Sequence, residues 1–90
     1  MTRISLITEA ELAEFAAALR KNGWRREDFE LEEDVFDPAK AEMESAAGEV
    51  GVRCLKTEGV QVYRLGAGFT WTADFAVDLE RGKFGTPTPT

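Results

Sequence analysis

The chain has 90 residues, with 17 acidic residues, 11 basic residues, no histidine and a formal net charge of −6 at neutral pH. A chain of this length forms one domain, because a single hydrophobic core typically serves about 100–150 residues. The acidic balance disfavours nonspecific binding to nucleic acid or anionic lipid, and the absence of histidine excludes histidine-based catalytic triads and leaves poor ligands for zinc.

A capping box predicts the start of an N-terminal helix at Thr8, whose hydroxyl can accept from the backbone of Glu11 while the Glu11 carboxylate reaches back. Asn22 and Gly23 supply a left-handed exit, so we expect the helix to lie between Thr8 and Asn22. Apolar residues in between recur with the spacing of one helical face, at Leu12, Phe15, Ala16 and Leu19.

Most of the negative charge lies in one window, residues 27–44, which holds nine carboxylates and one lysine. Within this window Phe29, Leu31 and Val35 alternate with acidic residues. A period of two predicts a strand over residues 29–35. Glu33 breaks the alternation, and a helical reading of the same segment stays open.

Asp37 and Pro38 then predict a second helix, with the aspartate as N-cap and the proline at the first helical position. Strong helix formers continue as far as residue 47. The inward-facing candidates are Ala39, Met43 and one alanine at position 46 or 47, so we expect this helix to pack thinly.

From residue 49 onward the apolar pattern changes to a period of two. It predicts strands over residues 50–55, 60–65 and 69–79, and the short turns between them make an antiparallel meander. The expected fold class is α+β. An N-terminal helix and a second short helix pack on one face of a three- to four-stranded antiparallel sheet, with a C-terminal β-meander.

We assign residues 1–85 to this single domain and residues 86–90 to a disordered tail of alternating Thr and Pro. The single cysteine, Cys54, alternates with Val50 and Val52, which indicates a small buried residue. One cysteine cannot form an internal disulfide and no signal-peptide pattern opens the sequence, so we expect a cytoplasmic protein. The uncharged stretches are far shorter than the ~20 residues of a bilayer span, so we expect no membrane segment.

One predicted surface is the sheet face opposite the helices. With Val50, Val52, Val60 and Val62 assigned to the covered face, Tyr63, Leu55 and Leu65 fall together on the open one. A face this apolar commonly marks an interface. We predict a protein-binding surface, with a second copy of the chain (a homodimer) as one candidate partner. Its residues are Arg53, Leu55, Tyr63, Leu65, Thr72 and Asp74.

A second predicted surface is an acidic flank, formed by Asp28, Glu30, Glu32 and Asp34. As a cation site it is weak, since neighbouring side chains on a strand face are ~6.6 Å apart and the calcium-loop glycine is missing. Like charges that discourage edge-to-edge pairing explain it better. We therefore expect no metal, no cofactor and no catalytic residue, and predict that the chain is not an enzyme.

These patterns predict a small non-enzymatic protein-interaction domain that uses the open sheet face, the acidic flank or both. One alternative is an acidic inhibitor or mimic that occupies a basic nucleic-acid-binding partner. Another is a winged-helix-like DNA-binding regulator, because a helix followed by a hairpin occurs there too. The would-be recognition helix, however, carries Glu42 and Glu44 beside Lys40, which disfavours a nucleic-acid partner.

Overall fold

The computed structural model describes residues 5–87, and within them three α-helices accompany a three-stranded antiparallel sheet. The predicted α+β class is therefore confirmed. Residues 1–4 of the predicted domain and residues 88–90 of the predicted tail lie outside the described residues. In chain order the elements are α1 (Glu9–Lys21), a 3₁₀ turn (Arg26–Asp28), β1 (Phe29–Val35), α2 (Pro38–Glu44), β2 (Gly48–Cys54), β3 (Val60–Leu65) and α3 (Trp71–Glu80).

The sheet is a meander in the order β1-β2-β3, and both neighbouring pairs are antiparallel. β1 pairs with β2 from Phe29 opposite Cys54 to Val35 opposite Gly48. β2 pairs with β3 from Gly48 opposite Leu65 onward. The meander thus lies in the middle of the chain, and the predictions of a C-terminal meander and of a possible fourth strand are wrong for the described residues.

The segment predicted as the last strand is the helix α3. Its apolar residues alternate, but Trp71, Phe75 and Leu79 are also spaced four apart, which places them on one helical face. These three side chains are buried, whereas Ala73 and Val77 are exposed. The helix prevails because it lays one apolar stripe against α1 and β3, the two elements that α3 contacts most.

α1 begins and ends where the sequence predicts. Its capping box is formed on both sides, with Glu11 N donating to Thr8 Oγ1 at 3.1 Å and Thr8 N donating to Glu11 Oε1 at 2.9 Å. At the other end Gly23 adopts a φ of +81°, and Trp24 N donates back to Leu19 O at 2.8 Å. This left-handed exit turns the chain toward β1.

α2 begins at the predicted proline but ends at Glu44, three residues earlier than expected. Ser45 takes a left-handed conformation with a φ of 55°, and Ala47 N donates to Leu65 O at 2.8 Å, so the chain is already joining the sheet. No residue of α2 is buried, and Met43 is 83% exposed. The expectation that α2 packs on the sheet is therefore wrong, and α2 serves as the connection between β1 and β2.

An aromatic cluster joins the helices to one face of the sheet. The ring of Phe75 on α3 lies 4.7 Å from that of Phe15, 5.5 Å from Phe84, 5.9 Å from Phe29 and 6.3 Å from Tyr63, measured between centroids. Each such pair contributes about 0.5–1.5 kcal/mol beyond the area it buries. The cluster fixes which sheet face is covered, and thereby which face stays open.

Candidate interaction face

One face of the sheet is covered and the other is open. The covered inner face carries buried residues of β2 and β3, including Val50, Val52 and Tyr63, which belong to the core. On the opposite, outer face Val60 and Val62 remain 53% and 57% exposed. By the strand register the outer face consists of Glu30, Glu32 and Asp34 from β1, Glu49, Gly51 and Arg53 from β2, and Val60, Val62 and Arg64 from β3.

The outer face is rich in carboxylates that form no salt bridge within the described residues. Glu30, Glu32 and Asp34 are exposed along β1, and Glu49 is opposite Asp34 on β2. Within residues 5–87 none of these four takes part in a salt bridge. Uncompensated carboxylates grouped on one surface create a negative potential that attracts cationic groups.

The centre of the outer face is a depression above Gly51, which is opposite Glu32 on one side and Val62 on the other. Without a side chain at this position the sheet leaves a cavity of about 410 Å³. A smaller cavity of about 120 Å³ adjoins it on the side of Arg53. We call the larger cavity the socket, and define it by Glu32, Asp34, Glu49, Gly51, Val60 and Val62.

Gly51 is not required by the backbone. Its φ is not in the positive range that favours glycine. A Cβ built on it would meet a single atom within 4 Å, the carbonyl oxygen of Glu32 at 3.8 Å. The socket therefore exists because this position has no side chain, and a larger residue would fill it.

A further cavity, of about 270 Å³, lies between the N-terminal segment and β1 and is lined by Ser5, Ile7, Leu12, Leu31 and Glu33. Its charged group is already engaged. The Glu33 carboxylate accepts one hydrogen bond from Ser5 Oγ at 2.8 Å and another from Leu6 N. These bonds anchor the N-terminal segment to β1, so this cavity has a structural explanation.

The six residues predicted as one interaction surface do not lie together. Tyr63 and Leu65 are 7% and 2% exposed in the core, so the predicted orientation of β3 is wrong. Thr72 and Asp74 belong to α3, where Thr72 Oγ1 donates to a carboxylate of α1. Leu55 is 46% exposed just past the end of β2. Arg53 is the one residue of the six that lies on the outer face.

The orientation of β3 also explains why the sequence does not predict Val60 and Val62 on the outer face. Both alternations along β3 contain apolar residues, Val60 and Val62 in one and Tyr63 and Leu65 in the other. The larger pair fills the core, and the Tyr63 hydroxyl finds a partner there by donating to Asp78 Oδ2 at 2.8 Å. The valines are therefore left on the outer face, next to the depression that Gly51 creates.

Three of the four residues of the predicted acidic flank lie together on the outer face. Glu30, Glu32 and Asp34 share the outer face, as the alternation in β1 predicts. Asp28 is separate: it is 7% exposed, its Oδ2 accepts from Arg25 N at 3.0 Å, and its Oδ1 lies 3.5 Å from Lys56 Nζ. Its inclusion in the flank is wrong, because the 3₁₀ turn uses its carboxylate internally.

Two side chains with reactive groups, Cys54 and Tyr63, are enclosed in the core. Cys54 is a free but fully buried thiol. Burial, and next the hydrogen bond to Asp78, raise the pKa of Tyr63 well above its ordinary value, so its phenol stays protonated. Within residues 5–87 no group of three or more Cys, Asp or Glu side chains is placed to hold a metal ion.

Between residues 5 and 87, none of the helices is both long enough and apolar enough to cross a membrane. Comparisons with protein-family models, with curated proteins and with solved structures find no match to this chain. Its function is therefore inferred from the chemistry of the outer face.

Proposed function

We propose that this chain is a small non-enzymatic domain that binds a partner protein on the outer face of its sheet. The observation that carries the proposal is the pairing of two half-exposed valines, Val60 and Val62, with four carboxylates that have no salt-bridge partner in residues 5–87. Apolar groups bordered by polar ones are typical of surfaces that bind other proteins.

The non-enzymatic part of the proposal follows from the side chains available. The sequence has no histidine. Cys54 and Tyr63 are enclosed in the core, where a molecule in the solvent could not reach them. The outer-face carboxylates of β1 lie in water, whereas catalytic carboxylates are tuned by apolar surroundings. A cytoplasmic location is part of the same proposal, because an unpaired, buried cysteine suits a reducing compartment.

The partner is expected to be a different protein. Two copies that met outer face to outer face would bring together two surfaces that each carry four carboxylates and two arginines, and this excess of negative charge opposes their association. The narrower alternative of an acidic mimic draws on the same carboxylates. The valines and Arg53 on this face favour a surface of mixed chemistry over a mimic of phosphates.

The winged-helix alternative has less support. α2, which would be the recognition helix, spans seven residues, none of them buried. A recognition helix must be held rigidly by packing before it can enter a DNA groove. The sheet face nearby carries the carboxylates of β1, which would repel a phosphate backbone.

Photo-crosslinking in the native host tests the proposal. A photoreactive side chain replaces Val62 on the outer face or, as a matched control, Val77, which is 45% exposed on α3. We expect a covalent adduct with a defined protein from position 62 and none from position 77. We also expect Gly51→Val, which fills the socket, to remove that adduct.

The same crosslinking experiment can contradict the proposal. Adducts of equal yield from positions 62 and 77 would show that the outer face is not the binding surface. Adducts specific to position 62 that persist with Gly51→Val would keep the outer face as the binding surface and exclude the socket from it. Circular dichroism of each variant checks that it is folded before the adducts are compared.

A further inference from the structure

The socket has two chemically different walls. On the β1 side it is bordered by the carboxylates of Glu32 and Asp34, joined by Glu49 at one end, and on the β3 side by Val60 and Val62. Adjacent strands are about 4.8 Å apart, so the two walls are separated by roughly 10 Å with Gly51 as the floor. This width accommodates a single elongated side chain.

The carboxylates at the acidic end of the socket take part in no ion pair within residues 5–87. Arg64 is the nearest basic residue by register, opposite Glu49. Its guanidinium is engaged elsewhere, with Nη2 3.0 Å from Glu44 Oε2 and Nη1 donating to Glu44 O at 3.2 Å. Asp34 and Glu49 therefore face a cavity that no basic group of residues 5–87 fills by ion pairing.

We infer that the socket binds one arginine or lysine side chain from an extended segment of the partner protein. This inference rests on the proposed function and names the chemistry of its occupant. Arginine and lysine combine an apolar stem with a cationic end. The stem would lie against Val60 and Val62, and the cation would reach Asp34 and Glu49.

Two basic residues of the described chain are engaged elsewhere, and a third, Arg53, lies on the outer face beside the smaller cavity and not at the acidic end of the socket. Arg26 donates to Phe29 O at 2.8 Å and lies 5.0 Å above the ring of Phe15, while Lys56 pairs with Asp28. A second copy would also bring a surface of net negative charge toward the socket. A basic segment of another protein is therefore the occupant that charge complementarity favours.

A displayed library of random ten-residue peptides is the probe for this inference. The library is selected on the wild-type chain and depleted in each round on the Gly51→Val variant, so peptides that bind away from the socket are removed. We expect the retained peptides to share one arginine or lysine flanked by apolar residues. Replacing that arginine by citrulline, which has the same shape without the charge, should weaken binding about tenfold.

Matched charge variants locate the contact. A triple variant, Glu32→Gln, Asp34→Asn and Glu49→Gln, should weaken binding of a selected peptide about tenfold in fluorescence anisotropy. A control triple with the same change of net charge replaces carboxylates outside the outer face and should leave affinity within about twofold; its changes are Glu9→Gln, Glu42→Gln and Glu58→Gln. Raising salt from about 0.05 to 0.3 M should weaken wild-type binding, because it shortens the range of charge interactions.

Three results would contradict the inference or the proposed function. Selected peptides that lack a basic residue, or that bind the two triple variants equally, overturn the basic occupant; a crosslink from position 62 would still support the outer face as a binding surface. Failure to enrich any peptide against Gly51→Val also overturns the inference. Loss of position-specific crosslinking is a separate result, which contradicts the proposed function itself.

Discussion

Two glycines in β2 should respond in opposite ways to the same substitution. Gly51→Ala places a methyl group in open space on the outer face, 3.8 Å from Glu32 O. Because glycine in a strand interior loses more conformational freedom on folding than alanine, we expect the free energy of unfolding to rise by about 0.5–1 kcal/mol. For a domain of this size that corresponds to a melting temperature about 2–8 °C higher.

Gly48→Ala should instead destabilise the fold. A Cβ on Gly48 would overlap the carbonyl oxygen of Asp34 and lie 3.0 Å from Leu6 Cδ1 and 3.3 Å from Val35 Cα. Two of these atoms belong to the backbone of β1, so the strand itself must move, and overpacking of this kind costs about 1–3 kcal/mol.

Thermal and urea unfolding, followed by far-ultraviolet circular dichroism, measure both variants beside the wild type. Opposite effects are expected because the two glycines face opposite sides of the same strand. A Gly51→Ala variant destabilised by more than about 0.5 kcal/mol, or a neutral Gly48→Ala variant, would refute this. Either result would mean that the register of β1 against β2 places these positions differently.

Three further predictions concern the core, the buried tyrosine and the helix cap. Phe75→Ala should lower the free energy of unfolding by about 3–5 kcal/mol, while Val77→Ala, on the exposed side of the same helix, should change it by about 0.5 kcal/mol or less; urea titration measures both. Burial raises the pKa of Tyr63 in the folded state, so above about pH 10 the phenol ionises more readily in the unfolded chain. The free energy of unfolding should therefore fall as the pH rises beyond that value, by about 1.4 kcal/mol at pH 11. Since Tyr63 is the chain's single tyrosine, its ultraviolet ionisation should coincide with unfolding, and Tyr63→Phe should remove this part of the alkaline loss; ionisation of the folded protein near pH 10 would contradict the burial. Thr8→Ala should cost about 1 kcal/mol by thermal unfolding, because it removes the acceptor for Glu11 N, and Thr8→Ser should restore most of it.

The candidate site could be predicted in part. Along β1, alternation with Phe29 and Leu31 predicts that Glu30, Glu32 and Asp34 share the solvent side, and the structure places them so. The other half of the face was not predicted, since Val60 and Val62 were assigned to the core. A strand that is apolar on both sides carries no local signal for which side is buried.

The starts of α1 and α2, the positions of β1, β2 and β3 and the acidic row follow from the sequence by itself, because capping residues and alternating side chains act over a few neighbouring positions. The capping box at Thr8 and the alternation in β1 are examples. The orientation of β3 and the helical state of residues 71–80 were decided by the tertiary structure. Residues 71–80 fit both a period of two and a spacing of four, and β3 is apolar on both of its sides. The choice in each segment depends on volume: Tyr63, Phe75 and Trp71 together fill the space between the sheet and α1. Once those large rings occupy the core, the smaller valines of β3 are left on the face that a partner can reach.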